Sequence, residues 1–187
     1  MTGSTHLLET SAETAHLFYF SNVRNAKALR EQLLAGDARL AYALVDGRAV
    51  LDPFQLLVAA GRAAEAARDD RLKTRNVHSE VVYNLAPDTN IGGAFRNFGV
   101  VDDSQALAVV KIGGQRDEAE SDLIDLIDGT PESTERIGSD VDLERIRKCY
   151  KLTPAEMAHR TQLINTVVTA MALKGVTQAA ITTTSDA

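Results

Sequence analysis

The chain's strongest folding constraint is a helix start at residues 52–55, where three residues each fit a different position of an α-helix N-terminus. Asp52 suits the cap position, because its carboxylate can accept a backbone N–H of the first turn. Pro53 fits the first helical position, and Gln55 can reach back to the cap as in a capping box. The sequence therefore predicts a helix that begins at residue 53 and ends near Arg68.

The apolar residues of this helix predict that it lies inside the fold. One stripe at helical spacing comprises Phe54, Leu57, Val58, Gly61 and Ala64. A second face of smaller residues comprises Leu56, Ala59, Ala60, Ala63 and Ala67. A helix that is apolar on most of its circumference is typical of a domain interior. We expect the alanines and Gly61 to let a neighbouring element approach closely.

The remaining pattern predicts an α+β fold. Apolar runs at 16–20 and 106–112 predict strands, and helical spacing recurs over 22–36, 90–99, 119–127, 143–150 and 153–175. Residues 76–85 fit a helix or a strand, and so do residues 38–45. Because strands and helices intermix without regular alternation, we expect a small mixed or antiparallel sheet packed with several helices in two layers.

The predicted domain organisation is simple. We expect a flexible N-terminus at 1–13, a single α+β domain at 14–176 and a disordered tail at 177–187. Residues 128–141 resemble an exposed loop. No stretch approaches the ~18 apolar residues that a membrane span needs, so we expect no membrane association. The N-terminus lacks the basic start and apolar centre of a secretory signal.

Charge is unevenly distributed along the chain. Residues 117–144 contain eleven acidic residues and one basic residue, a net charge of −10. Since the whole chain carries −6, the rest carries +4. This distribution is compatible with a local basic patch on an acidic molecule, or with an ordinary solvated acidic region.

Residue patterns typical of catalysis are missing from the sequence. The four histidines are scattered, no Cys/His cluster has metal-ligand spacing, and there is no phosphate-binding loop or nucleophile elbow. The single cysteine, Cys149, excludes an intramolecular disulfide and has no histidine close to it in sequence. We expect no catalytic residues, no metal and no cofactor.

A basic segment begins in the second half of the central helix and continues into the loop that follows it. It contains Arg62, Arg68, Arg71, Lys73 and Arg75, interrupted by Glu65, Asp69 and Asp70. Such a loop can hold phosphates, although the same composition is common at a solvated helix end. From composition and spacing alone, the chain is a soluble α+β domain and a possible binding module.

Five short motifs resemble the TPRKB family, in the same order and at similar spacing. They are DPFQ at 52–55, KTR at 73–75, N-L-x-P at 84–87, I-x-x-A-x-x-x-F-G at 91–99 and YKL at 150–152. The resemblance extends from about His16 to Gly175. The Gly92–Gly93 pair, the acidic region and the tail depart from the family pattern.

The resemblance implies a non-catalytic protein. The family is the small subunit of the KEOPS (EKC) complex that binds a PRPK-type atypical kinase/ATPase. It takes part in threonylcarbamoylation of adenosine 37 in tRNA, and it occurs in both cytoplasm and nucleus. The resemblance thus implies direct contact with the kinase, contact with other KEOPS subunits through the kinase, and help in holding tRNA, including its 3′ end.

Candidate site residues follow from the resemblance and from charge. Lys73 and Arg75 match the family's KTR motif, and Arg71 and Arg96 are added as tRNA-binding candidates because they are basic and close in sequence. Kinase-interface candidates are Leu163, Val167 and Ala170, on the second apolar face of the last helix, for which simple core packing is the alternative. Two other functions stay open: an interaction adaptor without RNA contact, and a small-molecule enzyme that uses the glycine-rich turns.

Overall fold

The computed structural model describes residues 3–8 and 11–175 of the 187-residue chain. Its β-strands are β1 (Ser4–Leu8), β2 (Glu13–Ser21), β3 (Ala43–Asp46), β4 (Leu107–Ile112) and β5 (Thr130–Glu132). Its first α-helices are α1 (Ala26–Ala35), α2 (Pro53–Arg68), α3 (Val77–Asn84) and α4 (Ile91–Phe98). The later ones are α5 (Arg116–Leu126), α6 (Leu143–Tyr150), α7 (Pro154–Met157) and α8 (Arg160–Ala172).

The strands form one antiparallel sheet in the order β1-β2-β4-β3, with β5 also paired to β2. On one side of β2 lies β4, with Leu17 opposite Val110. On its other side β2 pairs first with β1 and then with β5, which begins opposite Ser21. The α+β fold class is therefore confirmed, and the sheet is antiparallel rather than mixed.

Helices cover both faces of this sheet, so the predicted two-layer arrangement is corrected to three layers. Leu17, Tyr19 and Val110 belong to a core shared with α2, α3, α4, α6 and α8. Phe18, Phe20 and neighbouring side chains belong to a second core shared with α1 and α5. Successive strand residues point to opposite faces, so an uninterrupted apolar run needs cover on both.

The start of α2 agrees with the sequence prediction. Asp52 caps the helix by accepting a hydrogen bond from the Phe54 N–H at 2.9 Å, and Pro53 occupies its first turn. Of the two apolar faces, the alanine-rich one is buried except at Ala67, whereas Phe54 on the other is 52% exposed. The small side chains admit α3 closely enough for Asn84 to donate to the Ala59 carbonyl at 3.4 Å.

Gln55 reaches back as predicted, but past the cap. Its side-chain oxygen accepts the N–H of Leu51 at 2.9 Å, and its side-chain nitrogen donates to the Tyr150 hydroxyl at 3.1 Å. Tyr150 in turn donates to the carbonyl of Leu85. Three of the five motifs that carry the family resemblance, DPFQ, N-L-x-P and YKL, thus meet in one buried hydrogen-bonded cluster.

Three further predictions are corrected. The N-terminal segment predicted to be flexible instead contains β1, which extends the sheet beside β2. The predicted loop at 128–141 contributes β5 and a 3-10 turn at Thr134–Arg136. The helix predicted over 153–175 begins with a capping box at Thr153 but divides into α7 and α8 around His159. The predicted tail, 177–187, lies outside the described residues.

Gly61 does not serve the close approach that the sequence predicted. A Cβ placed on it would have no heavy atom within 4 Å, and its φ is not positive. We therefore expect Gly61→Ala to raise the free energy of unfolding by about 0.5–1 kcal/mol, because alanine removes glycine's entropic cost in a helix interior. Urea unfolding of both proteins measures the difference.

Gly93→Ala is the matched comparison within α4. A Cβ there would lie 2.9 Å from the Asn90 side chain, whose oxygen caps the helix by accepting the Gly93 N–H. We expect this substitution to bring a smaller gain or a loss, since the cap must move. Equal effects at the two glycines would contradict the packing described for Gly61.

Candidate functional site

A groove of about 760 Å³ lies beside the edge strand β3, between α1 on one side and α3 and α4 on the other. We call it the α1–α4 groove. Its apolar lining includes three side chains exposed to solvent, Leu34 from α1 and Ile91 and Phe95 from α4. The groove is therefore a concave surface on which the protein leaves large apolar groups uncovered.

Three arginines line this groove: Arg30 on α1, Arg75 before α3 and Arg96 on α4. Arg30 forms an ion pair with Asp102 at 2.9 Å. Within the described residues, no carboxylate lies within 4.0 Å of the Arg75 or Arg96 guanidinium. The groove thus combines an apolar lining with cationic groups, two of which keep uncompensated charge.

Local structure explains where Arg75 lies. A Nη atom of its guanidinium is 3.4 Å from the position that a Cβ would take on Gly36, the left-handed residue that ends α1. The C-terminal end of a helix carries partial negative charge and favours a cation. The Arg75 guanidinium therefore lies where the end of α1 favours a positive charge.

The other two tRNA-binding candidates lie outside the groove lining but on the same loop. This basic loop, residues 69–76, joins α2 to α3. Arg71 and Lys73 are exposed on it, and Arg71 forms an ion pair with Asp69 at 2.6 Å. The structure thus brings Arg75 and Arg96 together at the groove, places Lys73 on an exposed surface of the loop, and partly neutralises Arg71.

An ion-pair cluster around the buried Asp46 lies behind the α4 side of the groove. The Asp46 carboxylate, at the end of β3, accepts hydrogen bonds from Arg48 at 2.8 Å and from Arg145 of α6 at 3.0 Å. Burial alone would raise the pKa of Asp46, but the two arginines outweigh it and hold the pKa below its usual value. Arg145 also donates to the Arg96 carbonyl at 3.5 Å, so α6 is tied to the backbone that carries Arg96.

The inner part of the groove contains a neutral histidine. His78, 8% exposed, accepts the backbone N–H of Ile112 through Nε2 at 3.2 Å. Burial, together with the nearby charge of Lys111, lowers the pKa of His78 to about 4. Beside it, the ring of Tyr42 lies 6.5 Å away, and the Lys111 ammonium lies over that ring. His78 is therefore uncharged at neutral pH, and the charge next to it on the inner wall is the Lys111 ammonium.

Two side chains with shifted pKa values, Cys149 and Lys174, lie away from the groove. Burial raises the pKa of the Cys149 thiol, and Cys149 does not line the groove. Lys174 has a pKa lowered to about 7, chiefly by burial, but its ammonium packs on the Tyr83 ring away from the groove. No cluster of His, Cys, Asp and Glu within the described ranges could hold a metal ion.

None of the described helices is both long enough and apolar enough to span a bilayer.

The kinase-interface candidates lie in the core. Leu163 is 3% exposed and Val167 is fully buried, and Ala170 packs against the same core while partly exposed. Side chains with so little exposure cannot form a docking surface in this conformation. The alternative of core packing therefore holds for Leu163 and Val167, and the outward face of α8 carries polar residues such as Gln162 and Asn165.

Sequence reasoning missed Arg30, Leu34, Ile91 and Phe95 as groove residues. A signal existed in α4, where Ala94 and Phe98 form one apolar face and Ile91 and Phe95 a second. Only one of these faces can pack inward on a short surface helix. The second face therefore indicated an uncovered apolar surface.

Comparison with known proteins identifies relatives along most of the chain. A model of the family described as "Kinase binding protein CGI-121" matches residues 20–175. The EKC/KEOPS complex subunit TPRKB of Danio rerio is 34% identical over 158 residues, which cover 84% of this chain and 89% of the relative. The EKC/KEOPS complex subunit cgi121 of Schizosaccharomyces pombe is 34% identical over 164 residues, 86% of this chain and 92% of the relative. A subunit of the same name from Aspergillus terreus is 35% identical over 178 residues, 87% of this chain and 91% of the relative.

The environment of His78 predicts a pH-dependent stability. Because its pKa is about 4 in the folded protein and near 6.5 when unfolded, the unfolded chain binds more protons between these values. The contribution of His78 is fully present above pH 6.5 and is lost as the pH falls toward 4, by up to about 3 kcal/mol. Denaturant unfolding at several pH values measures it.

His78→Gln is the control for this titration. Glutamine retains an acceptor for the Ile112 N–H but does not titrate, so the fall in unfolding free energy between pH 6.5 and 4 should be shallower in the variant. Identical pH profiles for the two proteins would contradict a neutral, buried His78.

Proposed function

The chain belongs to the CGI-121 family of kinase-binding proteins, and on that premise we propose that it is a non-catalytic subunit of an EKC/KEOPS-type complex. In this role it binds a PRPK-type atypical kinase directly and contacts the other subunits through it. The observation that carries the proposal is the family match over residues 20–175, which includes every helix described above. The lack of a catalytic arrangement at the α1–α4 groove is in keeping with action through contact.

We further propose that the protein helps to recruit tRNA, including its 3′ end, for threonylcarbamoylation of adenosine 37. The support is the α1–α4 groove, where Arg75 and Arg96 offer uncompensated charge beside exposed apolar groups such as Phe95. Arginines neutralise phosphates, and aromatic side chains can stack on unpaired bases. A terminal single strand supplies both chemistries.

Kinase binding is tested with the purified protein and the PRPK-type kinase of the same organism. We expect a 1:1 complex by size-exclusion chromatography with light scattering, unchanged by RNase, because protein–protein contact alone holds it together. Biolayer interferometry then gives the dissociation constant. Failure to form a complex at micromolar concentrations, with both proteins folded, would overturn the adaptor role.

RNA contact is tested with the double substitution Lys73→Ala and Arg75→Ala. We expect tRNA affinity at physiological salt to fall about tenfold or more, because two phosphate contacts are lost. The slope of log affinity against log salt should also fall by about 2. Kinase binding, measured in parallel, should not change.

The matched control is Arg147→Ala with Lys148→Ala, which removes the same charge from α6. Both side chains pair with Glu144, and neither lines the groove. We expect this variant to bind tRNA within a factor of about two of the original, since it loses only long-range attraction. If both double variants bind tRNA like the parent protein, the RNA role is wrong and an adaptor without RNA contact remains.

A further inference from the structure

The basic loop is fastened to the protein by one buried carboxylate. Glu80, on α3, is only 2% exposed. Its Oε2 accepts the N–H of Lys73 at 3.0 Å, the N–H of Thr74 at 2.8 Å and the Thr74 hydroxyl at 2.7 Å. Hydrogen bonds to a carboxylate are stronger than those between neutral groups. Two successive peptide groups of the KTR motif are thus held by a single oxygen atom.

A second attachment holds the end of the same loop. The Asn76 side-chain oxygen accepts the N–H and the hydroxyl of Ser79, at 2.9 and 2.8 Å, which caps α3. The backbone that carries Lys73 and Arg75 is therefore held at Lys73, Thr74 and Asn76. All of these bonds lead to the first turns of α3.

The charge of Glu80 is unfavourable for the surface that it supports. A negative charge beneath a loop that binds phosphate repels the ligand, because the interaction between charges extends over several ångströms in a protein. If charge alone mattered, a neutral residue at this position would strengthen anion binding. The gain from a carboxylate here must come from the geometry of the loop.

We propose that Glu80 is a positioning residue, which holds Lys73 and Arg75 in the arrangement that contacts RNA. The proposal rests on the proposed tRNA contact and deepens it. A loop that is already ordered loses less conformational entropy on binding, so its affinity for a ligand is higher. Glu80 therefore strengthens RNA binding although its own charge opposes it.

The test compares Glu80→Gln and Thr74→Val with the parent protein. Glu80→Gln removes the charge and weakens all three bonds. Thr74→Val removes the hydroxyl, and with it the contacts to the Glu80 carboxylate and to the Asn76 carbonyl, without changing any charge. We expect tRNA affinity to fall about three- to tenfold for Glu80→Gln and about threefold for Thr74→Val. Amide hydrogen exchange at residues 73 and 74 should become faster in both variants, while kinase binding stays unchanged.

The direction of the change in tRNA affinity shows whether the charge of Glu80 or its positioning of the loop has the larger effect. Equal or tighter tRNA binding in both variants, with faster exchange in the loop, would overturn the proposal, because the loop would then bind equally well when loosened. Since either variant changes few atoms, thermal unfolding shows whether each is folded. Should Glu80→Gln fail to fold, Thr74→Val carries the test alone.

Lys174→Met controls for the other neighbour of Glu80. The charge of Glu80 also raises the pKa of Lys174, so a variant at position 80 could act through the end of α8. Lys174→Met removes that neighbour and keeps the three loop bonds, and we expect unchanged tRNA affinity. A loss equal to that of Glu80→Gln would overturn the positioning role.

The Lys73→Ala, Arg75→Ala protein separates this inference from the proposed function. If that variant and Glu80→Gln both bind tRNA normally, the RNA role itself is wrong. If only Glu80→Gln binds normally, the RNA role stands and the positioning role fails. When Glu80→Gln is added to the double variant, we expect no further loss of affinity, because the groups that Glu80 positions are already absent.

Discussion

The arrangement of the helices depends on the hydrogen bonds of one buried side chain, that of Gln55. An amide in an apolar core costs free energy unless its donor and acceptor are both used. Gln55 meets that requirement by accepting from the Leu51 N–H and donating to the Tyr150 hydroxyl, and Tyr150 in turn donates to the Leu85 carbonyl. A shift of α2, α3 or α6 relative to the others would leave a buried polar group unpaired, at about 1–3 kcal/mol each. This requirement fixes the relative positions of the three helices, and α3 and α4 in turn form one side of the groove.

Local chemistry was readable from the sequence wherever neighbouring residues determine it. The cap at Asp52, the proline after it, the Thr153 capping box and the glycine that ends α1 all act within a single helical turn. Features that depend on partners distant in sequence were not readable. Strand β1 is short, lies at the edge of the sheet and is formed by pairing with β2, and its own sequence shows little apolar periodicity. The third layer could have been inferred, because an uninterrupted apolar strand needs cover on both faces.

The same distinction between local features and features that depend on distant residues applies to the candidate site. The KTR motif identified Lys73 and Arg75 as surface cations, yet nothing in the sequence shows that Arg96, twenty-one positions after Arg75, lines the same groove. The choice of kinase-interface candidates on the last helix has a related explanation. Leu163, Val167 and Ala170 are as apolar as an interface residue, and only the packing of α8 on α2 shows that the core already contains the first two. Exposure is a property of the assembled fold, and periodicity alone cannot supply it.

The neutral state of His78 has a consequence for how this surface responds to its surroundings. Near neutral pH His78 on the inner wall of the α1–α4 groove is uncharged, and the cations that line the groove are arginines, which keep their proton throughout the physiological range. The electrostatic attraction of the groove for a polyanion is therefore almost insensitive to acidity. It is sensitive to ionic strength, because exposed guanidinium groups are screened by salt over roughly 10 Å. Competing anions, or a partner that covers the groove, would therefore change its attraction for a polyanion far more than a change in pH would.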